Sequence, residues 1–204
     1  PFSLTTEHVV HPSAPSFRAD LERFLGVCRV VRGIRGARLG AVGARPGAFN
    51  TVRYSEKILE RAGISVTTLD LSEILGAAAK LGDSDKRLLS KVDEIKAYAN
   101  PSAVPPAKLI KMASLGVVLD DFVAQHELDA TALQCWTSVQ ANHGCNVCTS
   151  MSMMSEAMSP SACEVDVTGV LTMYAMQLAS STPSALVDWN NNYGREPDKC
   201  VCTH

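Results

Sequence analysis

Two acids, Glu164 and Asp188, stand 24 positions apart at matching places in one pattern. Ser161 to Glu164 is a short run of small and apolar residues ending in an acid, and Ala185 to Asp188 is another. Between them Val167, Val170, Leu171, Tyr174 and Leu178 recur at helical spacing. The pattern predicts strand, helix, strand: a right-handed βαβ unit with parallel strands and both acids at strand carboxyl ends on one sheet edge. Open α/β sheets bind ligands along that edge. Two carboxylates brought together there repel unless a positive charge lies between them, and a divalent cation with its preference for oxygen donors is the simplest such charge. Either acid alone could instead cap the following helix. Asp166 opens the predicted helix, so the cap is assigned to Asp166 and the site to Glu164.

Residues near the two acids suit a polyhydroxylated ligand. Trp189, Asn190 and Asn191, followed by Asn192 and Tyr193, come directly after the second acid. An indole covers the C–H face of a sugar and amides bond its hydroxyls; an Asn-rich turn is the competing reading. Trp136 ends a predicted strand and Gln140 lies just past it on the same edge, with packing and simple solvation as their alternatives. The Cys145–Cys148 pair has CxxC spacing, and Cys200, Cys202 and His204 could complete a zinc site. However, Met151, Met153, Met154 and Met158 place that pair in a buried helix, where cysteine is an ordinary small core residue. The loop Gly43 to Gly47 lacks the glycine pattern of dinucleotide and P-loop sites. Its Arg45 could meet an anionic group, and Pro46-Gly47 otherwise makes a rigid turn.

The elements that must position these residues are legible along the chain. A helix is predicted from Pro15 to about Arg32, with Phe17, Leu21, Phe24, Leu25, Cys28 and Val31 on one apolar face. A strand over Arg38 to Gly43 follows, then a helix from Thr51 to Ala62 closed by Gly63. Ile64 to Leu69 is β-branched, and Asp70 or Ser72 caps the next helix. Residues 73–99 read as helical with a break at Gly82-Asp83, Ala107 to Gln125 as an amphipathic helix, and Ala130 to Trp136 as a third strand. The alternation predicts an α/β, three-layer, mostly parallel doubly wound (Rossmann-like) sheet. On this reading residues 1–36 are expected to form a lead-in and helix, and 37–204 an α/β metal- and sugar-binding domain, expected to be truncated at its C-terminal end.

Of 204 residues, 46% are hydrophobic and 20% charged, and the formal net charge is −2. Such a chain can build a sizeable core, and without a basic stripe it predicts no nucleic-acid partner. No apolar run reaches membrane-spanning length and no signal-peptide pattern opens the chain, so a cytoplasmic location is expected. Seven cysteines, an odd count, fit free thiols in a reducing compartment.

The acid-bearing stretch SACEVDVTGVLTMYAMQLASSTPSALVDWNNNY (161–193) resembles the metal-binding unit of the L-fucose isomerase / L-arabinose isomerase superfamily. RLGAVGARPGAFNTVRYSEKILERAGISVTTLDLSEI (38–74) resembles the middle domain of fucose-isomerase-like proteins, and the two stretches cover roughly a third of the chain. The resemblance implies a metal-dependent aldose–ketose isomerase acting on a monosaccharide, this chain being part of a longer enzyme. Glu164 and Asp188 would bind Mn²⁺, or another divalent cation such as Mg²⁺, and either could serve as the base. It also implies a histidine ligand, for which His204 is the candidate, and a homo-oligomer (trimer or hexamer). A non-catalytic sugar-binding α/β module is the rival from another class, and a zinc-stapled interaction domain the third.

Overall fold

The computed structural model describes residues 2–82 and 84–203. Four strands form one parallel sheet in the order β2-β1-β3-β4: β1 (Arg38–Val42), β2 (Ser65–Leu69), β3 (Ala130–Leu133) and β4 (Ser161–Ala162). Helices cover both faces, which gives the expected three-layer α/β fold. Alternation along the strands assigns the layers. Leu39 and Ala41 of β1, with Ala130 and Ala132 of β3, point into a core shared with α2 (Glu56–Arg61) and α7 (Val167–Ser180). Val42 and Leu133 point the other way, against α3 (Leu71–Lys80), α5 (Pro106–His126) and α6 (Cys148–Glu156). Outside α5 lies α4 (Lys86–Tyr98), whose Leu88 and Ile95 pack on Leu109 and Ala113. Fully burying such a leucine contributes about 1.5–3 kcal/mol. At Gly40 a Cβ would stand 2.6 Å from Leu128 and 3.0 Å from Phe122, so the absent side chain lets this second core layer close on β1.

Several expectations hold locally. Asp70 caps α3 by accepting from the Ser72 N–H at 2.7 Å, and Asp166 caps α7 by accepting from the Gly169 N–H at 2.8 Å. Three expectations need correction. The helix expected from Thr51 begins only at Glu56: Asn50–Val52 is a 3-10 turn and Arg53 is extended, so α2 keeps six residues. The first helix, α1 (Pro15–Ile34), forms, yet Leu21, Phe24, Leu25 and Val31 stay 36–46% exposed. It docks on α7 through small residues and Arg29 instead. The Arg29 guanidinium donates to the Leu178 and Ala179 carbonyls at 2.8 and 2.9 Å, and Gly33 sits against Leu178.

The third correction bears on the site. Ala185 to Asp188 does not add a parallel strand. Asp188 instead opens β5 (Asp188–Tyr193), which pairs antiparallel with β6 (Glu196–Thr203) in a separate two-stranded sheet. Pro183 has no N–H for a ladder, and Leu186 packs on the first turn of α7, its Cδ2 lying 2.8 Å from where a Gly169 Cβ would be. The polar run 188–193 then meets its partner across the two-residue turn Gly194-Arg195, where Gly194 takes a left-handed φ of 59°.

Candidate functional site

A cavity of about 620 Å³ opens at the carboxyl ends of β3 and β4. Glu164 reaches it from the turn after β4 and Asp188 from the first residue of β5, so both acids line one cavity although they do not end two strands of one sheet. The Glu164 turn is unusual: Glu164 and the β-branched Val165 have φ of 62° and 56°. Side-chain-bearing residues seldom occupy that left-handed region, and such positions cluster at functional sites. Here Val165 is buried in the core beside α7, and its N–H donates to the Leu133 carbonyl at 3.2 Å. These contacts fix the turn and hold the acid at the sheet edge.

Trp136, half exposed, lines the same cavity and packs against Phe49 with ring centroids 5.3 Å apart. Phe49 was not foreseen; it arrives because the Gly43–Asn50 loop folds back on itself, the Arg45 guanidinium donating to the Pro46 and Phe49 carbonyls at 2.9 Å. The remaining predicted ligand contacts are elsewhere. Gln140 is exposed in a π-helical turn (Val139–His143), and Trp189, Asn190 and Asn191 are exposed on β5, outside the cavity lining. The asparagines serve the hairpin: Asn190 Oδ1 accepts from the Thr203 N–H at 3.0 Å and from its hydroxyl, and Asn191 Oδ1 accepts from the Asn192 N–H at 2.8 Å. His204 lies outside the described residues. Its neighbour Thr203 pairs directly opposite Asp188, so the antiparallel return brings the described chain back to the second acid.

Three thiols, Cys135, Cys148 and Cys163, also face the cavity. A hydrogen bond from the Cys163 thiol draws Cys135 down to about 6 against the opposing effect of burial, with help from the Glu164 backbone N–H. The same contact, together with burial, pushes Cys163 up. Sequence reading had Cys135 and Cys163 only among seven expected free thiols; the signal was their position just past β3 and β4. All seven cysteines are free thiols. Among the described residues no group of three or more His, Cys, Asp or Glu side chains is arranged to hold a metal, so the zinc arrangement does not form there. For a hard cation, the donor chemistry of Glu164 and Asp188 fits: two carboxylates face one cavity, and further coordination must come from other groups. No helix among the described residues is long and apolar enough to cross a membrane.

Fold and cavity together define an α/β protein with a carboxylate-lined cavity at the carboxyl edge of a parallel sheet. No family model matches the chain. Similar curated proteins all bear the name sulfoquinovose isomerase. That of Priestia megaterium is 23% identical over 168 residues, 82% of this chain and 37% of the relative. That of Alkalicoccus urumqiensis is 25% identical over 190 residues, 87% of this chain and 42% of the relative. That of Clostridium sp. (strain MSTE9) is 24% identical over 169 residues, 82% and 38% respectively. The likeness is thus to sugar isomerases, and the chain spans about two fifths of the length of the curated relatives it matches.

Proposed function

We propose that this chain carries part of the active site of a metal-dependent aldose–ketose isomerase. The observation that carries the reading is the meeting of Glu164 and Asp188 in one cavity at the sheet edge. The names of the relatives support the reaction class, and sulfoquinovose, a sulfonated sugar, becomes the first substrate to try. Glu164 and Asp188 would hold the cation, Mn²⁺ or Mg²⁺, with His204 as the candidate for a third donor. When bound, that cation supplies the positive charge that polarises the sugar carbonyl and the adjacent hydroxyl.

The chain's own residues do the rest. One carboxylate takes the proton from the carbon bearing the hydroxyl and returns it to the former carbonyl carbon, while the hydroxyl proton passes to the former carbonyl oxygen. The left-handed turn at Glu164 keeps that carboxylate aimed at the cavity. Trp136 and Phe49 give an apolar wall for the C–H face of the sugar and exclude water from it. The family resemblance further implies a homo-oligomer, and the seven free thiols fit a reducing, cytoplasmic setting.

The test uses the protein that contains this chain, a panel of aldoses that includes sulfoquinovose, and NMR detection of ketose. Ketose should form with Mn²⁺, stop in excess chelator, and return when Mn²⁺ is restored. Turnover that persists in chelator rejects the metal, and tight sugar binding without any ketose favours a non-catalytic binding module.

A further inference from the structure

Among the described residues the acid cavity has three carboxylates in its lining, Glu156, Glu164 and Asp188, and no lysine or arginine. Until a cation binds, an anionic group is repelled there. On the other side of the Glu164–Val165 turn lies a second, smaller cavity of about 250 Å³ with the opposite character. Its lining includes Gly43, Arg45, Arg53, Tyr54, Thr68 and Val165, and it contains no carboxylate. The cavity sits at the carboxyl ends of β1 and β2, on the same sheet edge as the acids. Its wall is shared with the acid cavity: Val165 follows Glu164, and Arg45 holds the carbonyl of Phe49, whose side chain lines the acid cavity.

Both guanidiniums have donors to spare. Arg45, half-buried, spends Nη1 on two loop carbonyls, and Arg53, exposed, spends Nε on the Asn50 carbonyl at 3.2 Å. Among the described residues neither forms an ion pair. The nearest acid in sequence, Glu56, accepts from the Tyr54 hydroxyl at 3.3 Å. A half-buried guanidinium without a carboxylate partner is suited to a planar pair of oxygens, with charge-assisted hydrogen bonds about twice as strong as neutral ones.

We propose that Arg45 and Arg53 form a subsite for a tetrahedral oxyanion, the sulfonate of a sugar whose reacting carbons lie at Glu164 and Asp188. The assignment of the ligand as a substrate group rests on the isomerase reading; the anion site itself does not. The two guanidiniums lie on one side of the turn and the carboxylates that would hold the cation on the other, which gives the sugar a single orientation.

Inorganic sulfate is the first probe, titrated into the chain at constant ionic strength with chloride as balance, with the melting temperature as readout. Sulfate should raise it saturably, and Arg53→Gln should raise the half-saturating concentration at least tenfold. Arg45→Lys should do the same; because Arg45 also holds its loop, Arg53→Gln decides if that variant does not fold. Glu164→Gln should keep the sulfate response while losing any response to Mn²⁺, so failure of the metal reading and failure of the anion site are told apart. An equal response to chloride, or an unchanged half-saturation in Arg53→Gln, overturns the subsite. Methanesulfonate and methyl phosphate then distinguish the source: a stronger response to methanesulfonate supports the sulfonate, and an equal or stronger response to methyl phosphate overturns it.

Discussion

The two acids come from regions of opposite physical character. Glu164 follows a parallel sheet whose central strands are buried almost throughout: only Arg38 of β1 is exposed and all of β3 is inside. Asp188 begins a hairpin in which every residue of β5 is exposed and only Cys200 and Val201 of β6 are half-buried. A two-stranded sheet is marginal alone in water, whereas three or more strands packed on helices are not. The site therefore joins a carboxylate on a rigid frame to one on an element that contributes little to the core. The difference teaches where damage should show. Changes in the sheet should act on stability, and changes in the hairpin should act on the site with the fold intact.

The sharpest separation is catalytic. Asp188→Asn keeps the shape of the side chain and removes its charge, and should lower kcat/KM for sugar isomerisation at least about a hundredfold, since an oxygen ligand to a catalytic cation is worth several kcal/mol. Asn191→Ala, three residues on, loses only a hydrogen bond to its neighbour and should stay within a few-fold of wild type. Equal losses in steady-state assays of both would mean that the hairpin acts as a unit and not through Asp188.

Next in size is stability. Leu39→Ala and Leu133→Ala, each at a fully buried position, should each cost about 2–5 kcal/mol in denaturant unfolding. Trp189→Ala, at a side chain 75% exposed on the hairpin, should cost no more than about 0.5 kcal/mol. If Trp189 proves as costly as a core leucine, the contrast between the two regions is wrong.

Much of the frame was legible because it rests on local chemistry. Asp70 and Asp166 announce their helices as short acids before apolar periodicity, and both cap as read. The break near Gly82 and the proline at the start of α5 mark real boundaries. The hairpin was missed because three apolar residues, 185–187, resemble a strand, while the stronger signal was the left-handed Gly194 between two polar runs. The exposed face of α1 was unreadable for another reason: periodicity gives the apolar stripe but not what covers it. In the site, Glu164 could be found from a strand end and Trp136 from a strand read three residues too long, since β3 stops at Leu133, whereas Phe49, Cys135 and Cys163 are brought together by loops with no periodic pattern.

Smaller effects test the joint between α7 and the sheet. Asp166→Ala removes the cap beside Glu164 and should cost about 1 kcal/mol by denaturant titration, with Asp166→Asn recovering most of it. At the far end of the sheet, burial and then the Asp129 charge push Tyr174 up to about 12 from 10.0. Its hydroxyl donates to Asp129 Oδ1 at 3.2 Å. Because folding favours the protonated phenol, this contribution is full below pH 10 and declines as pH rises through about 12. Tyr174→Phe should flatten the stability slope between pH 10 and about 12 and leave the slope at pH 7–9 as it was; an unchanged slope between pH 10 and about 12 removes Tyr174 from the account.

The central claim is that Glu164 and Asp188, one from each region, share a single divalent cation. Isothermal titration of Mn²⁺ into the chain, with Glu164→Gln and Asp188→Asn alongside, measures it most directly. The account predicts one Mn²⁺ per wild-type chain and a loss of that binding in each variant, with circular dichroism unchanged. Wild-type affinity retained in both variants would contradict it and place any cation away from the acid pair.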